Sequence, residues 1–183
     1  SRSSGHYITF LDSDDLPHPD YLENAFDSLS NNHNPPFICL GYRVASIEMD
    51  TIYKMNDLHS DDPLILVKGN VFSCICNFLR RDIATQFPFN EDRLLSGSED
   101  WELWLRLVAH KGYFYNPAIS ASLINHESRS VVHTDPENLL KRKELALRYS
   151  FTDHKVKEVY GNAKKKIEAF ADSYIALHLA LGG

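Results

Sequence analysis

An apolar run that ends in a cluster of carboxylates is the feature that most constrains what this chain can fold into. Residues 7–11 are mostly apolar, and Asp12, Asp14 and Asp15 follow immediately. The pattern predicts a buried strand over residues 6–11 that delivers an acidic cluster to the edge of a sheet. Two negative charges about 4 Å apart repel by roughly 1 kcal/mol in water and about 4 kcal/mol at an effective dielectric of 20. Such a cluster therefore favours a bound cation or raised pKa values.

A simpler interpretation of the same segment stays open. Asp15, Leu16 and Pro17 are followed by Pro19 and Asp20, and these residue types are ordinary signals for the start of a helix. An acidic turn that precedes a helix is therefore the alternative to a divalent metal site.

The size and charge of the chain restrict its class. The 183 residues, 43% hydrophobic and 11% aromatic, are sufficient for one sizeable core. A net charge of −6, with Lys164, Lys165 and Lys166 as the one basic run, argues against a nucleic-acid-binding surface. Three cysteines without paired metal spacing give neither a disulfide framework nor a zinc signature. The sequence shows no membrane-spanning stretch or signal peptide, which is compatible with a cytoplasmic location.

Hydrophobic periodicity predicts a mixture of helices and strands. Helices are predicted over residues 19–33, 81–86 and 98–110, and strands over 37–49, 51–55, 113–115 and 119–124. Residues 70–79 are predicted as strand or mixed structure, in which Cys74 and Cys76 would share one face of a strand. Helices dominate from residue 136 onward, and the pattern predicts a helical hairpin over 139–149 and 156–181. The expected class is α/β with a helical C-terminal tail.

A second acidic site opens the clearest helix. Glu99 and Asp100 follow Ser98, and Trp101 and Trp104 lie at helical spacing behind them, as expected of core residues. Carboxylates in the first turn are stabilised by the helix dipole by about 0.3–1 kcal/mol. Taken alone, this pair is typical of helix capping.

In their order, these motifs resemble glycosyltransferase family 2, whose members have the GT-A fold. The matching segments are Gly5 to Asp15, Pro19 to Glu23, Phe89 to Glu91 and Ser98 to Leu107, with a weaker match at Asn125 to Ser130. A single Asp-x-Asp is weakly specific. An apolar strand with Asp-Ser-Asp-Asp, followed 86 positions after Asp14 by Glu-Asp-Trp and a Leu-rich helix, is a strong combination.

The resemblance implies an incomplete GT-A mixed sheet flanked by helices. Residues 1–134 would form the metal and acceptor side of the catalytic domain, and residues 135–183 a helical tail. The first strand of the family, its Pro-Thr-Tyr-like turn and the Asp that holds the nucleotide base do not occur in the sequence. We therefore expect a sheet with an exposed edge that needs cover, and a chain that is by itself inactive.

The resemblance also implies a metal site. Asp12 and Asp14 correspond to the Asp-x-Asp motif that binds the cofactor, with Asp14 as the most direct ligand of Mg²⁺ or Mn²⁺ and Asp15 in support. His126 corresponds to a histidine that approaches the metal or the diphosphate. A divalent cation would stabilise the negative charge that develops as the nucleoside diphosphate leaves.

Asp100 occupies the position of the family's general base, which would take the proton from the acceptor hydroxyl in an inverting displacement. Glu99, Trp101 and Arg129 are assigned to acceptor binding or to support of the site. The helix N-terminus would lower the pKa of Asp100, whereas burial beside Trp101 would raise it. Both outcomes are compatible with the sequence.

The implied activity is transfer of a sugar from a nucleotide-diphosphate donor, with UDP as the expected nucleotide, to a hydroxyl of a sugar or glycolipid acceptor. Polysaccharide or glycolipid assembly is the expected context, in the cytoplasm or at the inner membrane face. The sequence lacks a Gln-x-x-Arg-Trp motif, which disfavours a processive synthase. Nucleic acid is not an expected partner, whereas a homo-oligomer formed through the sheet edge or the helical tail is compatible with the sequence.

Two other functions stay open. A haloacid-dehalogenase-type phosphatase would use Asp12 as nucleophile and Asp14 as acid/base, but Asp15 and Leu16 stand where that family expects other residues. It would also leave Glu-Asp-Trp unexplained. A non-catalytic binding or assembly module with a GT-A-like core is the other alternative.

Overall fold

A six-stranded mixed sheet and six α-helices form the part of the chain that the computed structural model describes, residues 3–59, 62–126 and 136–182. The strands β1 to β6 are Tyr7–Ile8, Leu16–Pro17, Phe37–Ala45, Thr51–Met55, Asn77–Arg80 and Phe114–Ile124. The helices α1 to α6 are Tyr21–Asn31, Arg81–Gln86, Glu99–Lys111, Pro136–Ser150, His154–Tyr160 and Lys164–Gly182. Short 3₁₀ helices occur at Pro63–Lys68, Cys74–Cys76, Arg93–Leu95 and Gly161–Ala163. The fold is mixed α/β, as the sequence predicts.

The described residues cluster into two compact units. The first lies within the segments Ser1–Asp62, Phe72–Pro88 and Lys111–Glu127 and contains the whole sheet with α1 and α2. The second lies within Pro63–Val71, Phe89–His110 and Ser128–Gly183 and contains α4 to α6 and all but the last residue of α3. The boundary predicted between residues 134 and 135 lies outside the described residues and stays a prediction.

Strand β3 is the centre of the sheet. The strand order is β1-β5-β3-β6-β2, and β4 pairs antiparallel with β3 as a hairpin. β3 runs antiparallel to β4 and β5 but parallel to β6. All of its residues except Arg43 are buried. Burial of both faces explains why the sequence of β3 is apolar at most positions, with Arg43 as the charged exception, rather than strictly alternating.

Strand β6 is one strand, so the prediction of two strands at 113–115 and 119–124 is wrong. Asn116 pairs with Leu40 and Ile119 pairs with Gly41, so two residues of β6 bulge out between these pairs. A Cβ atom on Gly41 would lie 2.7 Å from the Pro117 carbonyl oxygen. The bulge therefore keeps the strand continuous, and it requires a glycine at position 41.

Two further predictions are corrected near the start of the sheet. β1 spans Tyr7–Ile8 instead of residues 6–11, and both residues are only partly buried. The reason is its place at the end of the strand order, where β5 is its one partner among the described residues. Cys74 and Cys76 lie in a 3₁₀ helix and not on one face of a strand.

Helix α1 is anchored to the sheet directly after the acidic segment. Its buried residues Tyr21, Ala25 and Ser28 lie on one face, at the helical spacing that the sequence shows. The Tyr21 hydroxyl donates a hydrogen bond to the carbonyl oxygen of Ile75. This contact fixes the chain immediately after the acidic turn.

The C-terminal segment contains three helices instead of the predicted hairpin. Asp153 caps α5, since its carboxylate accepts hydrogen bonds from the backbone N–H groups of Lys155 and Val156. The 3₁₀ helix Gly161–Ala163 then separates α5 from α6. Within the described residues, none of the helices has the length and apolar character that crossing a membrane requires.

We predict that Gly41→Ala lowers the free energy of unfolding by about 1–3 kcal/mol, because the new methyl group would press on the backbone of the bulge. Gly161→Ala is the matched control: its backbone is right-handed helical (φ −53°, ψ −45°), and a Cβ there meets nothing within 4 Å. The control should be neutral or gain about 0.4–1 kcal/mol. Urea unfolding measures both, and equal stability of the two variants would contradict the bulge constraint.

Candidate functional site

The first acidic segment is a turn between β1 and β2. The Asp15 N–H donates to the Asp12 carbonyl oxygen at 3.3 Å. β2 pairs antiparallel with β6, with Leu16 opposite Ser122. In an antiparallel pair, the residues before one strand run beside the residues after the other. This pairing brings the acidic turn to the C-terminal end of β6.

At this place Asp14 contacts His126, from a position 112 residues further along the chain. The Asp14 Oδ2 and His126 Nε2 atoms are 3.0 Å apart, and the two side chains are 36% and 20% exposed. The neighbouring Asn125 N–H donates to the Ala45 carbonyl oxygen at 2.7 Å, which holds the backbone before His126 against the end of β3. The Asp14–His126 pair is thus positioned by the sheet and accessible to solvent.

The other two carboxylates of the turn differ in their surroundings. Asp12 is exposed, whereas Asp15 is partly buried. Burial raises the pKa of the Cys76 thiol, and the negative charge of Asp15 raises it further. Asp15 is therefore coupled electrostatically to a buried core residue, while Asp12 and Asp14 are the exposed carboxylates of the turn.

Asp14 and His126 carry the types of ligand atom that a divalent cation takes in proteins. The 3.0 Å between Oδ2 and Nε2 is a hydrogen-bond distance, so a cation held by both atoms would displace the proton that they share. Among the described residues there is no group of three or more His, Cys, Asp or Glu suited to a metal. Mg²⁺ commonly takes only one or two carboxylates from the protein and the rest from water and phosphate oxygens. The pair suits such an open site.

The second acidic site lies in the second unit, at the start of α3. The Asp100 Oδ2 atom accepts a hydrogen bond from the Asn70 Nδ2 atom at 2.6 Å, and Oδ1 accepts one from the Trp101 N–H at 2.7 Å. Each carboxylate oxygen is thereby held by a separate donor.

Asp100 is partly buried at the surface, and desolvation is the largest influence on its pKa. Desolvation raises its pKa above the ordinary value of 3.8, although the bonds from Asn70 and Trp101 and the charge of Lys143 act in the opposite direction. Burial also lowers the pKa of Lys143, whose Nζ atom lies 4.8 Å from the ring centroid of Trp101 and 5.5 Å from that of Tyr174. Of the two opposing effects expected at this position, burial prevails.

Glu99 supports the turn that precedes α3. Its Oε2 atom accepts hydrogen bonds from the backbone N–H groups of Gly97 at 2.5 Å and Ser98 at 2.9 Å. Trp101 and Trp104 are 1% and 0% exposed, as predicted for core residues. Arg129 lies outside the described residues, so its assigned role stays a prediction.

Two contributors to the second site were missed in the sequence. Asn70 lies 30 positions before Asp100, in a segment without a recognisable motif. Lys143 lies on α4, which is rich in charged residues, and the sequence does not distinguish this lysine from its charged neighbours. Only the tertiary packing within this unit identifies them.

Comparisons with known proteins gave no assignment. Neither the family models nor the curated proteins include a match to this sequence. A function must therefore be inferred from the residues of the two acidic sites.

We predict that Asp100→Asn changes the pH dependence of stability. Because the native carboxyl holds its proton to higher pH than the unfolded one, the wild-type free energy of unfolding falls as pH rises from about 3.8 through the raised pKa. The Asp100→Asn variant has no carboxyl group to ionise at this position. Its free energy of unfolding should therefore rise relative to that of the wild type as the pH increases from about 3.8 through the raised pKa. Urea unfolding at a series of pH values measures the difference.

The matched control is Asp82→Asn. The hydrogen bond from Arg80 lowers the pKa of Asp82. The ionised Asp82 therefore adds to the free energy of unfolding of the wild type above pH 3.8, and this gain is lost as the pH falls further. The difference from the wild type should therefore have the opposite sign. A stability difference for Asp100→Asn that stays constant with pH would contradict the raised pKa of Asp100.

Proposed function

We propose that this chain is part of a metal-dependent, inverting glycosyltransferase of the family 2 type, with a GT-A-like domain. The observation that carries the proposal is the Asp14–His126 pair. It joins the Asp-x-Asp motif to the late histidine, which are the two features that the family resemblance assigns to one site. A chance surface ion pair would have no reason to involve these two motifs.

The pair would hold Mg²⁺ or Mn²⁺, with Asp12 as the next carboxylate of the same turn. The ion, when bound, supplies a positive charge for the diphosphate that leaves the donor sugar. Asp14 and His126 fix where that charge sits, because β2 and β6 hold their backbones. The expected donor is a UDP-linked sugar.

Asp100 would act as the general base. In the displacement, the acceptor oxygen bonds to the anomeric carbon as the bond to the diphosphate oxygen breaks, and the acceptor proton passes to the Asp100 carboxylate. A raised pKa makes that carboxylate a better proton acceptor. The donors Asn70 and Trp101 orient it, and the charge of Lys143 favours its ionised form before reaction.

A non-catalytic binding or assembly module is the second candidate. The described residues offer the cation a two-ligand anchor and no cluster of three. A module that kept the fold but lost its transferase activity could still carry Asp12, Asp14 and Asp100. Transfer activity that depends on Asp100 separates the two candidates.

We predict that the chain binds Mn²⁺ in the presence of UDP, as followed by the loss of the free Mn²⁺ signal in electron paramagnetic resonance. Asp14→Ala and His126→Ala should each weaken binding by about tenfold or more, since loss of mere outer-shell support already causes about 10–100-fold effects. Asp27→Ala on the exposed face of α1 removes the same charge elsewhere and should bind normally. Unchanged binding in the first two variants would exclude the metal site.

We predict that Asp100→Asn, made in the full-length parent of this chain, lowers the rate of UDP release from a UDP-sugar with acceptor by about 10²–10⁴-fold, the usual contribution of general base catalysis. Its Mn²⁺ binding should stay at the wild-type level, which shows that the loss is chemical. Full transfer activity in Asp100→Asn would contradict the assignment of this residue.

A further inference from the structure

A basic groove lies along α4 in the second unit. It has a volume of about 500 Å³ and is open to solvent between α4 and the 3₁₀ helix Arg93–Leu95. Four cationic side chains line it, together with two leucines: Arg93, Lys141, Arg142, Arg148, Leu94 and Leu145. The site residues discussed above do not line this groove.

The groove concentrates positive charge in an acidic protein. Glu144 is the one carboxylate in its lining. Two more carboxylates lie nearby. Glu137 forms an ion pair with Lys141 at 2.8 Å, and the charge of Arg148 helps to lower the pKa of Asp92. Among the residues that the structure describes, the four cations and these three anions sum to a charge of +1, whereas the 183-residue chain carries −6. Such a local excess attracts anions.

The groups present favour one class of anion. Three of the four cations are arginines, whose planar guanidinium groups bind phosphate oxygens in pairs. Arg142 lies against the turn before α3, because a Cβ on Gly97 would be 3.7 Å from its Nη1 atom. Leu94 is 70% exposed and offers an apolar contact for the organic part of a ligand.

We propose that the basic groove binds a phosphate ester. The arginines hold the phosphoryl oxygens, and Leu94 and Leu145 contact the attached organic group. Binding here requires neither a metal nor sugar transfer, so the proposal stands or falls independently of the proposed function. A free phosphorylated molecule and a lipid headgroup both carry this chemistry, and the experiment distinguishes the two sources.

The test is a titration of the chain with inorganic phosphate in the presence of EDTA, followed by ¹H–¹⁵N NMR at constant ionic strength. The largest shifts should fall on Arg93, Arg142 and Arg148. The double variant Arg93→Gln/Arg142→Gln should weaken binding by about tenfold or more, because it removes charged hydrogen bonds. Lys165→Gln, an exposed lysine outside the groove, is the matched control and should bind normally.

A second arm uses sedimentation with phosphatidylcholine vesicles, with and without phosphatidic acid. Binding that requires phosphatidic acid and is lost in the double variant supports the lipid source, and phosphate binding without vesicle binding supports a free phosphorylated ligand. Circular dichroism confirms that the variants fold. Absence of binding in both arms, or binding that the double variant and Lys165→Gln retain equally, overturns the proposal.

Discussion

Strand β6 is hydrogen bonded along both edges, parallel to β3 and antiparallel to β2, and the first unit depends on this double pairing. The pairing with β3 extends over eight residue pairs and is kept continuous by a bulge opposite Gly41. The pairing with β2 is short, but it places the acidic turn beside the residues that follow β6. The contact between Asp14 and His126 is therefore a consequence of sheet register. A one-residue change of register would turn these side chains to opposite faces.

At the second acidic site the controlling physical effect is desolvation. The first turn of a helix normally stabilises an ionised carboxylate, and Asp100 also receives two hydrogen bonds. Burial nevertheless raises its pKa. The same burial lowers the pKa of Lys143, so both charges are kept at a cost in stability. Groups whose pKa values are shifted in this way are typical of functional sites, although structural ion pairs show such shifts as well.

Sequence patterns predicted the elements whose signal is local. The helices α1, α2 and α3 and the β3–β4 hairpin follow from periodicity and turn residues. The errors arose where tertiary context decides. Two strands were predicted where β6 is one strand with a bulge, and β1 is short because it lies at the end of the sheet. The acidic motifs and His126 were found from residue order, but the contribution of Asn70 and Lys143 to Asp100 was not, because it depends on packing between distant segments.

Anomalous diffraction from crystals grown with Mn²⁺ and UDP would test the central claim most directly, because it locates the ion without assuming its ligands. We predict a manganese peak within bonding distance of a carboxylate oxygen of Asp14 and of Nε2 of His126, with the remaining positions filled by diphosphate oxygens or water. A peak held by other residues, or an Asp14–His126 pair that stays hydrogen bonded without manganese at saturating concentration, would contradict the metal site and with it the proposed glycosyltransferase chemistry.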